Sequence, residues 1–175
     1  MTKGYIHVNT GDGKGKTTAA LGLAIRCAGR GEKVLFVQFL KGQETGEEAI
    51  TNRLPEITHR KLMNARSFFH HLKSEEQDAL RVQGGKEWEN LMKEIRNTSY
   101  RLLVLDEIMA VMYLGILPEE EVLQFLKEKP ESLEVVLTGR DAPETIMDVA
   151  DLVSVIEKKK HYYDQGVLSR KGIEY

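Results

Sequence analysis

The 175-residue chain is 41% hydrophobic and 30% charged, a balance that excludes a disordered polypeptide and favours a single domain. Its formal net charge of −2 gives no general support for binding nucleic acid or an anionic membrane, although residues 1–42 hold seven Lys/Arg against two Asp/Glu. The lone cysteine, Cys27, excludes an internal disulfide and a cysteine-cluster zinc site; with no secretory signal and no apolar run longer than Ile108–Leu117, a cytoplasmic protein is expected.

Along the chain, Tyr5–Val8 is the first strand candidate. A glycine-rich turn follows it. Lys16–Arg30 then reads as a helix, with Ala20, Leu23, Ala24 and Cys27 along its apolar side. Val34–Phe39 is a second strand and Ile57–Leu62 a weaker third. Ser74–Ile95 reads as a helix with Ser74 as N-cap, and Trp88, Leu91, Met92 and Ile95 recur at helical spacing as a core stripe. Leu102–Leu105 and Val135–Leu137 are short, aliphatic and free of alternation, the pattern of strands buried on both faces. Pro118–Lys127, with Pro118 in its first turn, and Ala142–Val149 are helices, and Leu152–Ile156 is the last strand. Lys41–Arg53 and Lys158–Tyr175 suggest no element. This alternation implies one three-layer α/β domain with a mainly parallel sheet of about six strands.

The strongest local signal is Thr10-Gly11-Asp12-Gly13-Lys14-Gly15-Lys16-Thr17-Thr18, placed between a strand and a helix as a phosphate-binding loop requires. Glycines let backbone N–H groups, here those of Gly13 and Gly15, approach phosphate oxygens, and the helix start adds its positive dipole end. Lys16 offers an ammonium to the phosphates and Thr17 a hydroxyl to a bound Mg²⁺. The usual pattern has glycine where this chain has Thr10. Asp106 and Glu107 follow the strand Leu102–Leu105, and strand ends in such sheets face the ligand crevice, where a carboxylate holds the metal directly or through water. The oxygen donors suit Mg²⁺ and Mn²⁺ equally. Together these motifs imply the P-loop NTPase (RecA-like) fold and binding of a nucleoside triphosphate, without specifying the reaction.

The phosphate loop also resembles that of the P-loop type ATP:corrinoid (cob(I)alamin) adenosyltransferases. The likeness continues through Val37-Gln38-Phe39-Leu40-Lys41-Gly42, Leu105-Asp106-Glu107 and Leu137-Thr138-Gly139-Arg140. It closes on Lys160-His161-Tyr162-Tyr163-Asp164-Gln165-Gly166 and Lys171-Gly172-Ile173-Glu174-Tyr175, in family order over nearly the whole chain. The resemblance implies transfer of the 5′-deoxyadenosyl group of ATP to the cobalt(I) of a reduced corrinoid, with release of triphosphate. It implies that Lys16, Thr17 and Arg140 are catalytic and that Gly11, Asp12, Gly13, Lys14, Gly15, Lys16, Thr17, Thr18 and Arg26 bind the nucleotide. Phe68 or Phe69 would face the corrin, and Thr17, Asp106 and Glu107 would hold the metal. Asp164 matches a family position near the site.

Similar enzymes hold ATP reversed relative to P-loop hydrolases, so that C5′ faces the attacking atom; they are homodimers, and a flavin-dependent reductase is an expected partner, while nucleic acid and membrane are not. Longer relatives cover the site with an N-terminal extension, so here the cover is expected from elsewhere in the chain or from a partner subunit. Two other readings remain open on the residues alone: a P-loop kinase or NTPase acting at the γ-phosphate, and a non-catalytic ATP-dependent corrinoid-binding module.

Overall fold

The structure, a computed structural model, describes residues 2–64 and 69–174. Six strands form one parallel sheet: β1 (Ile6–Thr10), β2 (Val34–Phe39), β3 (Ile57–Leu62), β4 (Leu102–Asp106), β5 (Glu134–Thr138) and β6 (Leu152–Val155). Their order is β3-β2-β4-β5-β1-β6, so β5 lies between the strand that leads into the glycine turn and the strand that ends in the acid pair. All six coincide with the strands expected from the apolar runs.

The central strands are apolar on both faces because both faces are covered. Every residue of β2 and β4 is buried. On one face, helix α1 (Lys16–Ala28) lays Ala20, Ala24 and Ala28 against Val34, Phe36, Leu102, Val104 and Val136. Alanines at a spacing of four let the helix approach the sheet closely. On the other face, alternate strand residues Leu35, Val37, Leu103, Leu105, Val135 and Leu137 meet the helices that follow β3 and β4. Of these, α3 (Ser74–Asn97) buries Trp88, Leu91 and Ile95, with Met92 half-buried beside them. Trp88 packs edge-on against Phe125 with ring centroids 5.9 Å apart, an arrangement that matches ring edge to ring face.

Two helices that the sequence did not announce complete the set: α2 (Gly46–Thr51), and α4 (Ile108–Tyr113) directly after β4. In α2 only Thr51 is buried and Ile50 is exposed, so no apolar stripe marks it. In α4 the run is apolar throughout and four of its six residues are buried, so no polar face marks it either. The helices α5 (Glu119–Glu128) and α6 (Glu144–Asp148) lie where expected, but both prolines cap them from outside: Pro118 and Pro143 precede the first helical residue. Ser74, expected as an N-cap, is instead the first helical residue of α3. Lys73 is the cap, and its amide donates to the Glu76 carboxylate at 2.9 Å. The glutamate takes the cap residue's own N–H, while the Glu76 and Gln77 N–H groups that a serine cap would have taken donate to the Lys73 carbonyl, both at 3.0 Å. Among the described residues, no helix is long and apolar enough to cross a membrane.

Candidate active site

The segments that leave the C-terminal ends of the strands surround one cleft of about 870 Å³. The turn after β1 forms its floor. Gly15 takes φ +128° with open space where a side chain would start, so its conformation demands glycine and its surface faces the cleft. Gly11, itself at φ +105°, and Gly13 are held to glycine by crowding as well. A Cβ on either would stand 2.5 and 2.7 Å from the carbonyl oxygen of Ile156, where the chain leaving β6 presses on the turn. That carbonyl accepts the Gly13 N–H at 2.7 Å. The Gly13 amide, expected to face phosphate, is therefore committed to the chain after β6.

Lys16 is buried, and its ammonium donates to the carbonyls of Gly11 (2.6 Å) and Gly13 (2.8 Å), which holds the cation inside the turn. Burial lowers its pKa, an effect opposed by Glu107 across the cleft. Lys14, Thr17 and Thr18 line the same space, joined by Lys41, Arg140 and Lys158. Arg140 reaches the cleft because Gly139 before it adopts φ +146°, against Met109, where a Cβ would come within 2.5 Å of that side chain.

The acid pair divides into two environments. Asp106 is fully buried; its Oδ1 accepts hydrogen bonds from the hydroxyls of Thr17 (2.8 Å) and Thr138 (2.7 Å), and its Oδ2 accepts from the Gln38 amide (3.2 Å). Glu107 adopts a left-handed φ of 66°, which turns it from the strand direction into the cleft; its own N–H donates to Thr138 Oγ1 at 3.0 Å. Burial, reinforced by the negative charge of Asp106, raises the Glu107 pKa. Among the described residues no three His, Cys, Asp or Glu side chains converge into a metal cage. The Thr17 hydroxyl and the Glu107 carboxylate on the cleft, with Asp106 behind the hydroxyl instead of facing the metal as expected, nevertheless fit Mg²⁺, which takes few protein ligands and completes its shell with phosphates and water.

The segment after β6, which suggested no element, forms the wall opposite. The Asp12 carboxylate accepts from the Lys158 amide at 3.0 Å, and the Lys14 ammonium donates to the Ile173 carbonyl at 3.1 Å. Glu174 gathers Lys14 (3.6 Å), Arg170 (3.2 Å) and the Tyr162 hydroxyl, while the Arg170 guanidinium lies 4.7 Å over the Tyr162 ring. His161, Tyr163, Asp164 and Ile173 line the cleft. Cover expected from elsewhere in the chain is thus supplied in part by the chain's own tail, and Asp164 is on it.

Hydrogen bonds from Arg170 and Tyr162 hold the Glu174 carboxyl down to about 2. A depressed carboxylate stabilises the folded arrangement above its ordinary pKa, and that stabilisation is lost as pH falls through about 2. Amide hydrogen exchange across 158–174 is therefore expected to stay slow from neutral pH down to about 5, and to accelerate at neutral pH in Glu174→Gln.

Two expected site residues lie elsewhere. Arg26 is exposed on α1 and does not line the cleft; its neighbour Ile25 does, one step round the helix. Phe69 packs half-buried against the main core with the Arg81 guanidinium 5.4 Å from its ring, so core packing rather than the cleft takes this side chain. Phe68 lies outside the described residues. Sequence reasoning in turn missed Glu47 and His59, which bond Gln38, and Thr51, which bonds His59. The signal was Gln38 itself, a polar side chain within an otherwise apolar strand run.

The fold and this turn define a P-loop nucleotide-binding domain of the α/β class. The cytoplasmic domain of EssC shares the fold, with a TM-score of 0.52 over 96% of this chain and 34% of that one, at 14% identity. Residues 2–175 match the family described as ATP:corrinoid adenosyltransferase BtuR/CobO/CobP. The corrinoid adenosyltransferase of Escherichia coli (strain K12) is 37% identical over 174 residues, covering 99% of this chain and 86% of that protein. Corrinoid adenosyltransferase CobA of Salmonella typhimurium is 36% identical over 174 residues, with the same coverage of each chain. That of Pseudomonas aeruginosa is 32% identical, over 99% and 84%. The chain belongs to the ATP:corrinoid adenosyltransferase family, and its activity is ATP-dependent adenosyl transfer to a corrinoid.

Proposed function

We propose that the cleft grips ATP by its triphosphate and leaves C5′ open to a cobalt-centred nucleophile. The observation that carries this reading is the charge of the walls: Lys14, Lys16, Lys41, Lys158 and Arg140 all line one cleft. The reaction needs no protein nucleophile. The cobalt(I) electron pair attacks C5′, a Co–C bond forms, the C5′–O bond breaks, and its pair leaves on triphosphate as cobalt becomes formally cobalt(III). The protein's work is alignment and stabilisation of the charge that grows on the departing oxygens.

Lys16, held at the floor by its own loop carbonyls, stands where it can exchange them for phosphate oxygens. The first turn of α1 presents its amides and dipole to the same anion. Arg140 offers a planar fork of donors from the far wall. Thr17, oriented by Asp106, and Glu107 would hold Mg²⁺ or Mn²⁺, which when bound neutralises triphosphate charge. Asp106 itself, enclosed by three donors, acts through the Thr17 hydroxyl. Reduced corrinoid is delivered with the help of a flavin-dependent reductase, and the enzyme works as a cytoplasmic homodimer.

Incubating the protein with ATP, Mg²⁺ and chemically reduced cobalamin tests this reading. A shift of corrin absorbance to the adenosylated form with equimolar triphosphate is expected. ADP with unaltered corrin would instead place the chemistry at the γ-phosphate.

A further inference from the structure

Behind the metal-site acid lies a closed chain of buried polar groups that the reaction itself does not use. Gln38 is fully buried in β2, between β3 and β4. Its Nε2 donates to Glu47 Oε1 at 3.0 Å and to Asp106 Oδ2 at 3.2 Å. Two carboxylates on one side leave no choice of amide orientation: the NH₂ must face them, so Oε1 faces away. On that other side stands His59 of β3, with Nε2 3.0 Å from Gln38 Oε1. An amide oxygen only accepts, so this ring nitrogen carries the proton. The second nitrogen, Nδ1, then accepts from the hydroxyl of Thr51, fully buried at the end of α2, at 2.6 Å. The ring is half-buried beside Phe36 at 5.4 Å. With Nε2 committed to Gln38, the one hydrogen of the Thr51 hydroxyl goes to Nδ1 rather than to the Glu47 and Glu48 carbonyls that lie 3.0 and 3.2 Å from its oxygen, and a network so satisfied specifies geometry.

The geometry points to His59 as a positioning residue that, through Gln38, fixes the carboxylate of Asp106 and with it the Thr17 hydroxyl, while tying α2 to the same centre. Without an N–H at this place the Gln38 oxygen is left buried and unpaired; one of the contacts that fix the amide is gone, and its hold on Asp106 and Glu47 loosens. Glu47 itself lines the cleft, so the disturbance reaches the ligand from two sides. Outer groups of this kind change metal affinity or activity by 10–100-fold when removed, although they touch no substrate.

The inference rests on the proposed grip of metal-bound ATP, and three variants separate its failure from failure of that reading. His59→Phe keeps the ring and removes both nitrogens. His59→Asn is too short to reach Gln38. His59→Gln places an amide N–H near the position of Nε2. With wild-type activity as the reference, His59→Phe and His59→Asn are expected to lower kcat about 10-fold, with the KM for corrinoid unchanged. By calorimetric titration they are expected to bind Mg·ATP about 10-fold more weakly, while His59→Gln stays within about threefold of wild type in both. If His59→Phe fails to fold, the Asn and Gln pair decides alone. Equal loss in Asn and Gln, or none in Phe or Asn, overturns the positioning role. A wild-type protein that makes ADP and no adenosylated corrin overturns the function instead, whatever the variants do.

Discussion

Lys16→Ala is expected to abolish turnover while leaving the fold in place. The ammonium donates to two carbonyls of its own loop, charge-assisted hydrogen bonds of about 1.5–3 kcal/mol each whose contribution is offset by the cost of burying the cation. Against triphosphate the same group meets concentrated negative charge inside a partly dry cleft, where a single positioned donor is worth about 10²–10³ in kcat. Substrate and transition state both carry the triphosphate, but charge on the leaving oxygen rises as C5′–O breaks, so kcat falls further than KM rises. Initial rates of corrin adenosylation and a thermal melt check both halves. A variant with near-normal kcat, or one that loses its cooperative melt, contradicts the assignment.

Asp106→Ala combines a structural and a catalytic loss. Its carboxylate is fully buried and receives two hydroxyls and one amide. Removing it strands these donors from β2, β5 and the start of α1, at a cost of about 3 kcal/mol, since hydrogen bonds to charged groups are the expensive ones to lose. Turnover is expected to fall about 100-fold, because the Thr17 hydroxyl loses the acceptor that aims it. Asp106→Asn discriminates shape from charge. Its oxygen can still accept from Thr17 and Thr138, but its NH₂ then faces the NH₂ of Gln38, which His59 prevents from turning. The Asn variant is therefore expected to melt below wild type despite being isosteric.

The six strands and the phosphate turn were legible because they rest on local chemistry. Doubly buried strands must be continuously apolar, as in Val34–Phe39 and Leu102–Leu105, and a glycine turn with Lys-Thr before a helix has few other uses. Asp106 and Glu107 were readable as a pair; their division into a buried acid and a cleft-facing acid was not, because it depends on one left-handed residue at Glu107. The reason for Gly11 and Gly13 was misread, since the group that crowds them, Ile156, is remote in sequence. The tail was opaque on the same ground. Its order comes from Lys14, Arg170, Tyr162 and Glu174 meeting across the loop, with no periodicity to betray it. Arg26 stands about 100° round the helix from Ile25, the residue that lines the cleft, a distinction that family likeness does not carry.

The claim on which the mechanism turns is the direction in which ATP lies. A crystal structure of the protein with Mg²⁺ and ATP, without corrinoid, tests it most directly. The account predicts triphosphate oxygens on Lys16, Thr17 and Arg140, with the ribose C5′ facing open space beside Glu107. A γ-phosphorus turned to that space, with C5′ enclosed by protein, would contradict it.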